Sequence, residues 1–431
     1  MMERIDMEEM WGYVAANAGA DTLKLMLKSE PDLPFDKRFA VMQIECRKKT
    51  KNKIPELLAN ERFLFPKAIS AEQCTHQQVA QFHASLFQPT DSVLDMTMGL
   101  GVDSYYISQR VASLKAIELD EEIAAAGAHN YAFTVVNADS VAWLTQTDER
   151  FDAVFIDPAR RGDGGARLYG LADCAPDVLS ILPTIKAHAK RLYIKASPMI
   201  DVTQSMRDLA PHLTDVWAVS VKNECKELFF EVDFGVECAD VHLHALNFEA
   251  GGTQEVVVDS AALAVEGCYG SPSAGQYLYE PNASVMKIGA FAALTRQFPI
   301  QQIAKNSHLY YSDDFVEDFP GRKFVIDSII PFSGKEAKTV GKQHKQLNIA
   351  TRNFRLSPDE LKKRLKVRDG GDCYLFATTL ANGEPVLLLT RKADKEGGER
   401  SERSDSLGWG ALGAARSTRI ASLELLLTSN F

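Results

Sequence analysis

The sequence lacks several features that mark particular classes of protein. No apolar run approaches the 18 or so residues that a membrane span requires, and the N-terminus is acidic where a signal peptide is basic. The seven cysteines are scattered and form no C-x-x-C pair, and the nine histidines form no H-x-x-x-H pair. We therefore expect a cytoplasmic protein with reduced thiols, no membrane partner and no metal.

Positive charge is also in short supply. The chain has 48 lysines and arginines against 58 acidic residues, a net charge of −10. Taken over the whole chain, this argues against a nucleic-acid partner, because affinity for phosphate comes mostly from lysine and arginine. The 431 residues, 45% of them hydrophobic, predict two to four globular domains of ordinary composition.

The first segment, residues 1–80, is predicted to be a helical lobe. Trp11, Val14 and Ala15 recur at helical spacing, and no strand-like alternation is present. The basic run over residues 47–53 has two interpretations, a solvated helix face or a substrate contact.

Residues 81–274 show short apolar runs that alternate with amphipathic segments of helical length, which is typical of an α/β fold with parallel strands. Only six residues separate the last two runs, so these should form an antiparallel hairpin. We predict a seven-stranded Rossmann-like sheet with this hairpin at its edge. The predicted strands are residues 92–96, 113–119, 133–137, 152–157, 191–196, 216–221 and 228–234.

The remaining chain is predicted to form small α+β domains. Residues 240–275 are strand-rich, and 275–320 should contain a strand, a helix over 283–297 and a second strand. A domain over residues 321–392 should include a helix that is capped by Ser357 and Pro358. Residues 393–431 are polar, and we expect them to be disordered.

Residues 93–103 read as a strand, a glycine-rich turn and the start of a helix. Such a turn lets a ligand approach the backbone, and the helix N-terminus presents free N–H groups. A dinucleotide site would have a third glycine where Ser104 stands, and the carboxylate of Asp95 would repel a pyrophosphate but attract an amino group and a sulfonium. The pattern therefore favours S-adenosylmethionine, with these candidate ligands: Asp95, Thr97, Gly99, Gly101 and Asp103.

Carboxylates follow the next three predicted strands as well. Glu118, with Asp120 as the alternative, could accept both ribose hydroxyls of the cofactor. Asp139 follows the third strand, near the place expected for adenine, and Asp157 follows the fourth. Each feature alone is as consistent with a helix cap or a turn, but four at successive strand ends favour a binding site.

The motifs DMTMGLG, IELD, NAD and FIDPARR resemble those of class I S-adenosylmethionine-dependent methyltransferases. Within that class, DxTxGLGxD is similar to enzymes that methylate the exocyclic amine of guanine in RNA. A closer resemblance, to a bacterial family of methyltransferases, covers nearly the whole chain. It rests on EQCT, IKASPMID, VKNECKEL, YLYEPNASVMKIGAF, FPGRKF and NIATRNFRLSPDELKKRLKVRDGGDCYLF. This family carries a ferredoxin-like segment and a THUMP-like domain after its core, which implies an RNA substrate, tRNA or rRNA.

The fourth-strand motif supplies the candidate catalytic residues. Amino-group methyltransferases have Asp or Asn, two prolines and an aromatic residue here; the side-chain oxygen and a proline carbonyl hold the amine. Asp157 and Pro158 fit this pattern, while Ala159 and Arg160 depart from it and remove the ring that would stack on the base. A cysteine-nucleophile mechanism is disfavoured, because neither this strand end nor the next carries cysteine.

The predicted substrate contacts are basic or aromatic side chains near these motifs. Arg160 could stack on a base or hold a phosphate, or it could pair with a loop carboxylate, and Lys195 could contact substrate or be a solvated strand-end lysine. The full set of predicted substrate residues is Arg160, Arg161, Tyr169, Lys195, Arg352 and Arg355.

Charge is segregated along the chain. Residues 321–371 contain 13 lysines and arginines but only 5 carboxylates, so the acidic total belongs to the other segments. A basic segment with an aromatic residue, Phe354, is typical of an RNA-docking module, although a solvated basic helix is the alternative. We predict an RNA methyltransferase; the other hypotheses are an RNA-binding protein with an inactive core and a small-molecule methyltransferase.

Overall fold

The computed structural model describes residues 7–30, 33–160 and 170–393, which form two compact units. Among these residues, the first unit comprises those up to Val265 and Asn282–Ala290, and the second comprises Glu266–Pro281 and those from Phe291 onward. The helices are α1 (Met7–Ala16), α2 (Thr22–Leu27), α3 (Lys37–Thr50), α4 (Pro55–Leu58), α5 (Ala68–Gln73), α6 (Gln77–Ser85), α7 (Val102–Arg110), α8 (Glu121–Asn130), α9 (Ser140–Gln146), α10 (Val178–His188), α11 (Val202–Leu209), α12 (Ala283–Ile288), α13 (Leu294–Gln297), α14 (Gly334–Gln343) and α15 (Pro358–Leu365).

The strands are β1 (Ser92–Asp95), β2 (Ser113–Glu118), β3 (Thr134–Asn137), β4 (Phe151–Ile156), β5 (Ala159–Arg160), β6 (Cys174–Ala175), β7 (Ala189–Ala196), β8 (Leu213–Val221), β9 (Glu224–Asp233), β10 (His242–Glu249), β11 (Gly252–Asp259), β12 (Tyr277–Pro281), β13 (Gln301–Gln302), β14 (Tyr310–Ser312), β15 (Gly321–Pro331), β16 (Asn348–Thr351), β17 (Cys373–Thr379) and β18 (Pro385–Lys392). Arg161, Tyr169 and the predicted disordered tail after residue 393 lie outside the described residues.

A mixed sheet forms the centre of the first unit, which confirms the predicted α/β fold. Its order is β3-β2-β1-β4-β7-β9-β8-β10-β11, and the first five strands are parallel. The β8–β9 hairpin is antiparallel as predicted. Its predicted place at the sheet edge is wrong, because β10 pairs with β8 and β11 pairs with β10. Within the described residues, the sheet therefore has nine strands, seven of which are the predicted ones.

The second half of the predicted helical lobe shares its core with this sheet. Phe63 and Phe65 are fully buried in the same apolar cluster as Val93 of β1 and Ile107 of α7. The first helices form a smaller cluster around Met10, below 1% exposed. The segments 1–80 and 81–274 consequently lie within one compact unit, up to Val265.

The predicted helix over residues 283–297 is two helices. Gly289 has a φ of +76° at the C-cap of α12, a left-handed conformation that ends the helix and favours glycine. The side chain of Asn282 caps the start of α12, accepting a hydrogen bond from Val285 N. Helix α12 packs on β8, β9 and β10 and belongs to the first unit, whereas α13 belongs to the second.

The second unit is built on a sheet of order β13-β14-β12-β15-β18-β17-β16, with α14 and α15 packed together. Apolar side chains of both helices, such as Val340 and Leu361, are buried in one cluster with Leu375 and Leu387 of the sheet. Ser357 and Glu360 form a capping box at the start of α15, as the sequence signal predicts.

Close packing of α14 on α15 gives a prediction for the second unit. A Cβ atom built on Gly341 would lie 1.9 Å from the carbonyl oxygen of Leu365, whereas one on Gly334 of the same helix would lie 3.7 Å from its nearest neighbour. Gly341→Ala should therefore lower the free energy of unfolding by about 1–3 kcal/mol through overpacking, and Gly334→Ala should not. Urea denaturation measures both; equal effects would contradict this packing.

Candidate functional site

The predicted site residues lie at one edge of the large sheet. Asp95 and Glu118 are the last residues of β1 and β2, Asp157 follows β4, and Lys195 is the penultimate residue of β7. These strands are parallel, so their carboxyl ends meet at the same edge, where ligands of open α/β sheets bind. The structure thus brings together the strand-end residues that the sequence singled out.

The glycine-rich turn between β1 and α7 is held in a conformation that requires glycine. Gly99 and Gly101 have φ values of +56° and +83°, and a Cβ atom on Gly101 would lie 2.4 Å from the ring of Tyr131. The Tyr131 hydroxyl donates to the carbonyl of Leu100 (2.8 Å), and Gly99 N donates to Glu118 Oε2 (2.8 Å). The side chains of Glu118, at the end of β2, and of Tyr131, directly after α8, therefore fix the path of this turn.

Asp95 stabilises the glycine-rich turn by hydrogen bonds to residues on both sides of its glycines. Its side chain is almost fully buried and accepts hydrogen bonds from Thr97 N (2.8 Å) and from the Ser104 hydroxyl. Burial raises the pKa of Asp95 to about 7. Thr97 in turn accepts a hydrogen bond at Oγ1 from the backbone N–H of Asp157 (2.6 Å), which ties the turn to the end of β4.

Asp103, predicted as a cofactor ligand, makes several contacts within the protein. Its carboxylate accepts from the Thr75 hydroxyl, from His83 Nδ1 (2.8 Å) and from Lys195 Nζ (3.2 Å). Although burial opposes it, the adjacent Lys195 and His83 hold the pKa of Asp103 well below its ordinary range. Both oxygens already accept hydrogen bonds from the protein, and the predicted contact of Asp103 with the cofactor stays a prediction.

Two other predicted cofactor residues are helix N-caps. Asp120 accepts from Glu122 N and Ile123 N at the start of α8, and its other oxygen pairs with Lys67. Hydrogen bonding to Lys67 lowers the pKa of Asp120. Asp139 is exposed and accepts from Ala142 N (2.9 Å) at the start of α9. Glu118, rather than Asp120, therefore has the better position for a ligand at the end of β2.

Asp157 and Lys195 form the charged centre of the edge. Lys195 Nζ donates to Asp157 Oδ2 at 2.7 Å, and the Asp157 side chain remains 40% exposed, against 10% for Lys195. Burial raises the pKa of Asp157, with Lys195 acting in the opposite direction. Pro158 is buried next to it. Lys195 is not the solvated lysine that the sequence allowed, since it lies almost entirely inside the protein.

The segment after Pro158 is extended. Ala159 and Arg160 form β5, which pairs antiparallel with β6 so that Arg160 lies opposite Cys174. The side chain of Arg160 and the whole of Arg161 and Tyr169 lie outside the described part of the chain. Their roles in substrate binding stay predictions.

Three residues near Lys195 escaped the sequence reasoning. The hydroxyl of Thr75 accepts from Lys195 (2.7 Å), and His83, fully buried, lies between Asp103 and Glu227. The contact of His83 Nε2 with Glu227 Oε1, at 2.5 Å, is an ion pair rather than a well-aligned hydrogen bond. Thr75 lies within the motif EQCT and Glu227 within the motif VKNECKEL. These motifs carry the family resemblance, but they assign neither residue a role.

Two exposed apolar residues at the same edge were also missed. Leu119, directly after Glu118, is 70% exposed, and Met199, four residues after Lys195, is 52% exposed. Met199 lies on a turn that is held by a hydrogen bond from Lys287 Nζ to the Ile200 carbonyl (2.8 Å). An apolar residue directly after a strand-end carboxylate is a sequence signal that could have identified Leu119.

The two predicted substrate residues of the second unit, Arg352 and Arg355, differ in how far other protein groups bind their guanidinium groups. Arg352 Nη2 donates to the buried carboxylate of Glu280 (2.8 Å), which also pairs with Arg322, so Arg352 is partly engaged within the protein. Arg355 is exposed, with its guanidinium 5.3 Å from the ring centre of Phe332. Phe354 is half-buried and packs edge-on against the same ring, so it is not a free stacking surface.

Within residues 7–30, 33–160 and 170–393, no group of three or more His, Cys, Asp or Glu residues could hold a metal ion. In the same ranges, no helix is both long enough and apolar enough to cross a membrane.

Comparison with known proteins confirms the predicted resemblance for the second unit and for the whole fold. Residues 277–320 match a ferredoxin-like domain, and residues 321–392 match a THUMP domain-like family. A crystal structure of a protein from Porphyromonas gingivalis W83, described as a candidate methyltransferase, is 28% identical; the match covers 91% of this chain and all of that chain, with a TM-score of 0.82. The chain therefore has a methyltransferase fold followed by ferredoxin-like and THUMP-like domains.

A curated relative is also a methyltransferase. A 23S rRNA (uracil(1939)-C(5))-methyltransferase from Photobacterium angustum is 30% identical over 136 residues. The match covers 29% of this chain and 61% of that enzyme, so the chain spans about three-fifths of its length. Both of these matching proteins are described as methyltransferases, in agreement with the resemblance that the sequence predicts.

The buried imidazole of His83 gives a testable pH dependence. Although burial opposes it, the charges of Glu227 and Asp103 raise the pKa of His83 to about 9 from an ordinary 6.5. A raised pKa gives stability that is complete below pH 6.5 and is lost as the pH rises through 9. Between these pH values, the wild type should lose about 3 kcal/mol more unfolding free energy than His83→Gln. Urea denaturation at both pH values measures this difference; an equal loss would mean that His83 is neutral.

Proposed function

We propose that this chain, which combines a methyltransferase fold with ferredoxin-like and THUMP-like domains, is an S-adenosylmethionine-dependent methyltransferase that acts on RNA. The observation that carries the proposal is the sheet edge itself. There, a left-handed glycine turn, the Glu118 carboxylate and the partly exposed Asp157 carboxylate occupy the ends of adjacent parallel strands.

The residues present fit the cofactor. A Cβ atom on Gly99 would meet no atom within 4 Å, so the turn borders open space in which a ligand could approach the backbone. Each oxygen of Glu118 accepts one backbone N–H, from Gly99 and Asp120, and keeps a lone pair for a ribose hydroxyl. The exposed Leu119 would lie against the adenine ring, with Asp139 nearby as a further acceptor.

The chemistry needs alignment first and a proton acceptor second. S-adenosylmethionine, when bound, supplies a methyl group on a positively charged sulfur. Asp157 would accept a hydrogen bond from the target amine, together with the carbonyl of Pro158, and would take up the released proton. Its orientation is fixed by Lys195 Nζ on one side and by its own backbone N–H, which donates to Thr97, on the other.

A nitrogen target, with the exocyclic amine of guanine favoured, agrees better with this edge than pyrimidine C5 does. Methylation at C5 needs a thiolate nucleophile next to the base. Cys174 lies opposite Arg160 and is 2% exposed, and burial raises the pKa of Cys74. Both features oppose a reactive thiolate, so we do not extend the uracil chemistry of the curated relative to this chain.

An RNA substrate is supported by the charge of the second unit. Helices α14 and α15 present a basic surface, defined by the exposed residues Lys335, Lys338, Lys342, Lys363, Arg364 and Lys366. The three lysines of α14 are spaced three and four residues apart and share one face, opposite the buried Ala337 and Val340. This surface would hold RNA phosphates, and the exposed Arg355 could add to it.

The proposal separates residues for chemistry from residues for cofactor binding. Asp157→Ala should lower the rate of methyl transfer by about 10²–10⁴-fold, because it removes both the oxygen that holds the amine and the proton acceptor, while the affinity for S-adenosylmethionine stays within about twofold. Glu118→Ala should weaken cofactor binding by about 10–100-fold through the lost charged hydrogen bonds.

Calorimetric titration of the cofactor and transfer of a labelled methyl group to total RNA measure the two effects. Binding that is too weak to detect at high micromolar cofactor in the wild type would overturn the enzyme assignment. Equal loss of binding and transfer in Asp157→Ala would overturn the role of Asp157.

The basic surface gives a second prediction. The double variant Lys338→Glu/Lys342→Glu should bind tRNA or rRNA more weakly, and the dependence of log Kd on log salt should fall by about 1.5 for two lost phosphate contacts. Lys24→Glu/Arg207→Glu makes the same charge change at exposed positions of the first unit and serves as the control. Filter binding over a salt series measures both; equal slopes for the two double variants would exclude this surface.

A further inference from the structure

A continuous chain of charged side chains leads from Asp157 into the protein. Asp157 accepts from Lys195, Lys195 also donates to Asp103, Asp103 accepts from His83, and His83 pairs with Glu227. We call these five residues the buried charge chain. Asp157 directly follows β4, and the other four lie on β7, α7, α6 and β9. The proposed function uses Asp157 as the group that meets the substrate, with Lys195 orienting it, and gives Asp103, His83 and Glu227 no role.

Lys195 is saturated by protein acceptors. An ammonium group has three N–H donors, and those of Lys195 meet Thr75 Oγ1 at 2.7 Å, Asp157 Oδ2 at 2.7 Å and Asp103 Oδ2 at 3.2 Å. A substrate phosphate or carbonyl could bind to Lys195 only by displacing one of them. Lys195 therefore acts through Asp157 and is a positioning residue.

His83 is built into the chain as a cation. It has no exposed surface, its ring stacks on Phe229 at 4.3 Å, and each ring nitrogen faces a carboxylate, Asp103 at 2.8 Å and Glu227 at 2.5 Å. Two carboxylates on opposite sides of one imidazole favour the doubly protonated ring. Charges along the chain then alternate in sign, with three carboxylates and two cations.

Three carboxylates and two cations give the buried charge chain a net charge of −1. A net charge that is largely removed from water is energetically unfavourable. One added proton makes the chain neutral. We propose that the buried charge chain as a unit accepts the proton that an amine substrate releases on methylation, with His83 and Glu227 as remote positioning residues that set the proton affinity of Asp157. The inference rests on the proposed function and deepens it.

Atoms and charge are conserved in the proposed methyl transfer and in the proton transfer that follows it. As the lone pair of the amine nitrogen forms the bond to the methyl carbon, the carbon–sulfur bond breaks and its electron pair stays on sulfur. The nitrogen becomes positively charged and loses one proton to a carboxylate oxygen of Asp157. Because this side chain is 40% exposed, the proton can leave from it to water after the product departs.

Other titratable groups also face the buried charge chain, among them Asp95 and Cys74. Asp95 of β1 is buried beside it, and its pKa of about 7 is raised by burial and also by the charges of Asp103 and Asp157. The Cys74 thiol at the end of α5 lies near Lys195 and Asp103, and burial raises its pKa. Neither Asp95 nor Cys74 is a cation, so His83 and Lys195 provide the positive charges of the buried charge chain.

The test uses the dependence of the methyl-transfer rate on pH. His83→Gln removes one cation, so Asp157 should hold its proton to higher pH, and the acid limb of the profile should move up by about one pH unit, a tenfold lower rate on that limb. The double variant His83→Gln/Glu227→Gln removes one charge of each sign and should return the limb toward the wild type. Glu224→Gln, at an exposed position of the same strand as Glu227, is the control and should not shift it.

Circular dichroism checks that each variant is folded, and a carbon-13 NMR titration of the Asp157 carboxyl, assigned with Asp157→Asn, gives a readout that does not depend on activity. The inference is overturned if the acid limb of the pH profile does not move in folded His83→Gln. It is also overturned if the acid limb moves further in the double variant than in His83→Gln. If the wild type transfers no methyl group, the proposed function fails. In that case a shifted Asp157 titration in His83→Gln still supports the coupling, and an unshifted one overturns it.

Discussion

The buried ammonium of Lys195 is the interaction on which the candidate site depends. It lies between the carboxylates of Asp103 and Asp157 and receives a third acceptor from Thr75. Without it, two carboxylates would face each other in a medium of low dielectric constant; an uncompensated buried charge of this kind costs about 3–5 kcal/mol. One side chain thus joins the helical lobe, the first turn of α7, and the ends of β4 and β7.

The carboxylates of the sheet edge divide into groups according to the donors that they already have. Asp95 and Asp103 are buried and satisfied by protein groups, and they shape the turn and the charge chain. Glu118 and Asp157 keep accessible lone pairs, and these are the residues that the proposed function assigns to cofactor and substrate. The fixed glycine turn between them sets how the two bound molecules would meet.

The sequence predicted the frame of this site well, because each strand-end residue follows a short apolar run and parallel strands place such residues at one edge. It could not distinguish a ligand contact from a helix cap at Asp120 and Asp139, because both uses place a carboxylate directly after a strand. His83 and Glu227 are separated from Asp103 by 20 and more than 100 residues, and no local pattern reports such a contact. The prediction that Arg352 contacts substrate rests on its charge. Its carboxylate partner, Glu280, is 72 residues away in the sequence, so no local pattern indicates this ion pair.

The most direct test of the central claim is a comparison of modified nucleosides in tRNA and rRNA from wild-type cells and from cells that lack the gene, measured by mass spectrometry. If the chain is an RNA methyltransferase, one methylated nucleoside is missing from the deletion strain and returns with the intact gene but not with a gene encoding Asp157→Ala. Identical nucleoside compositions in the two strains would contradict the account.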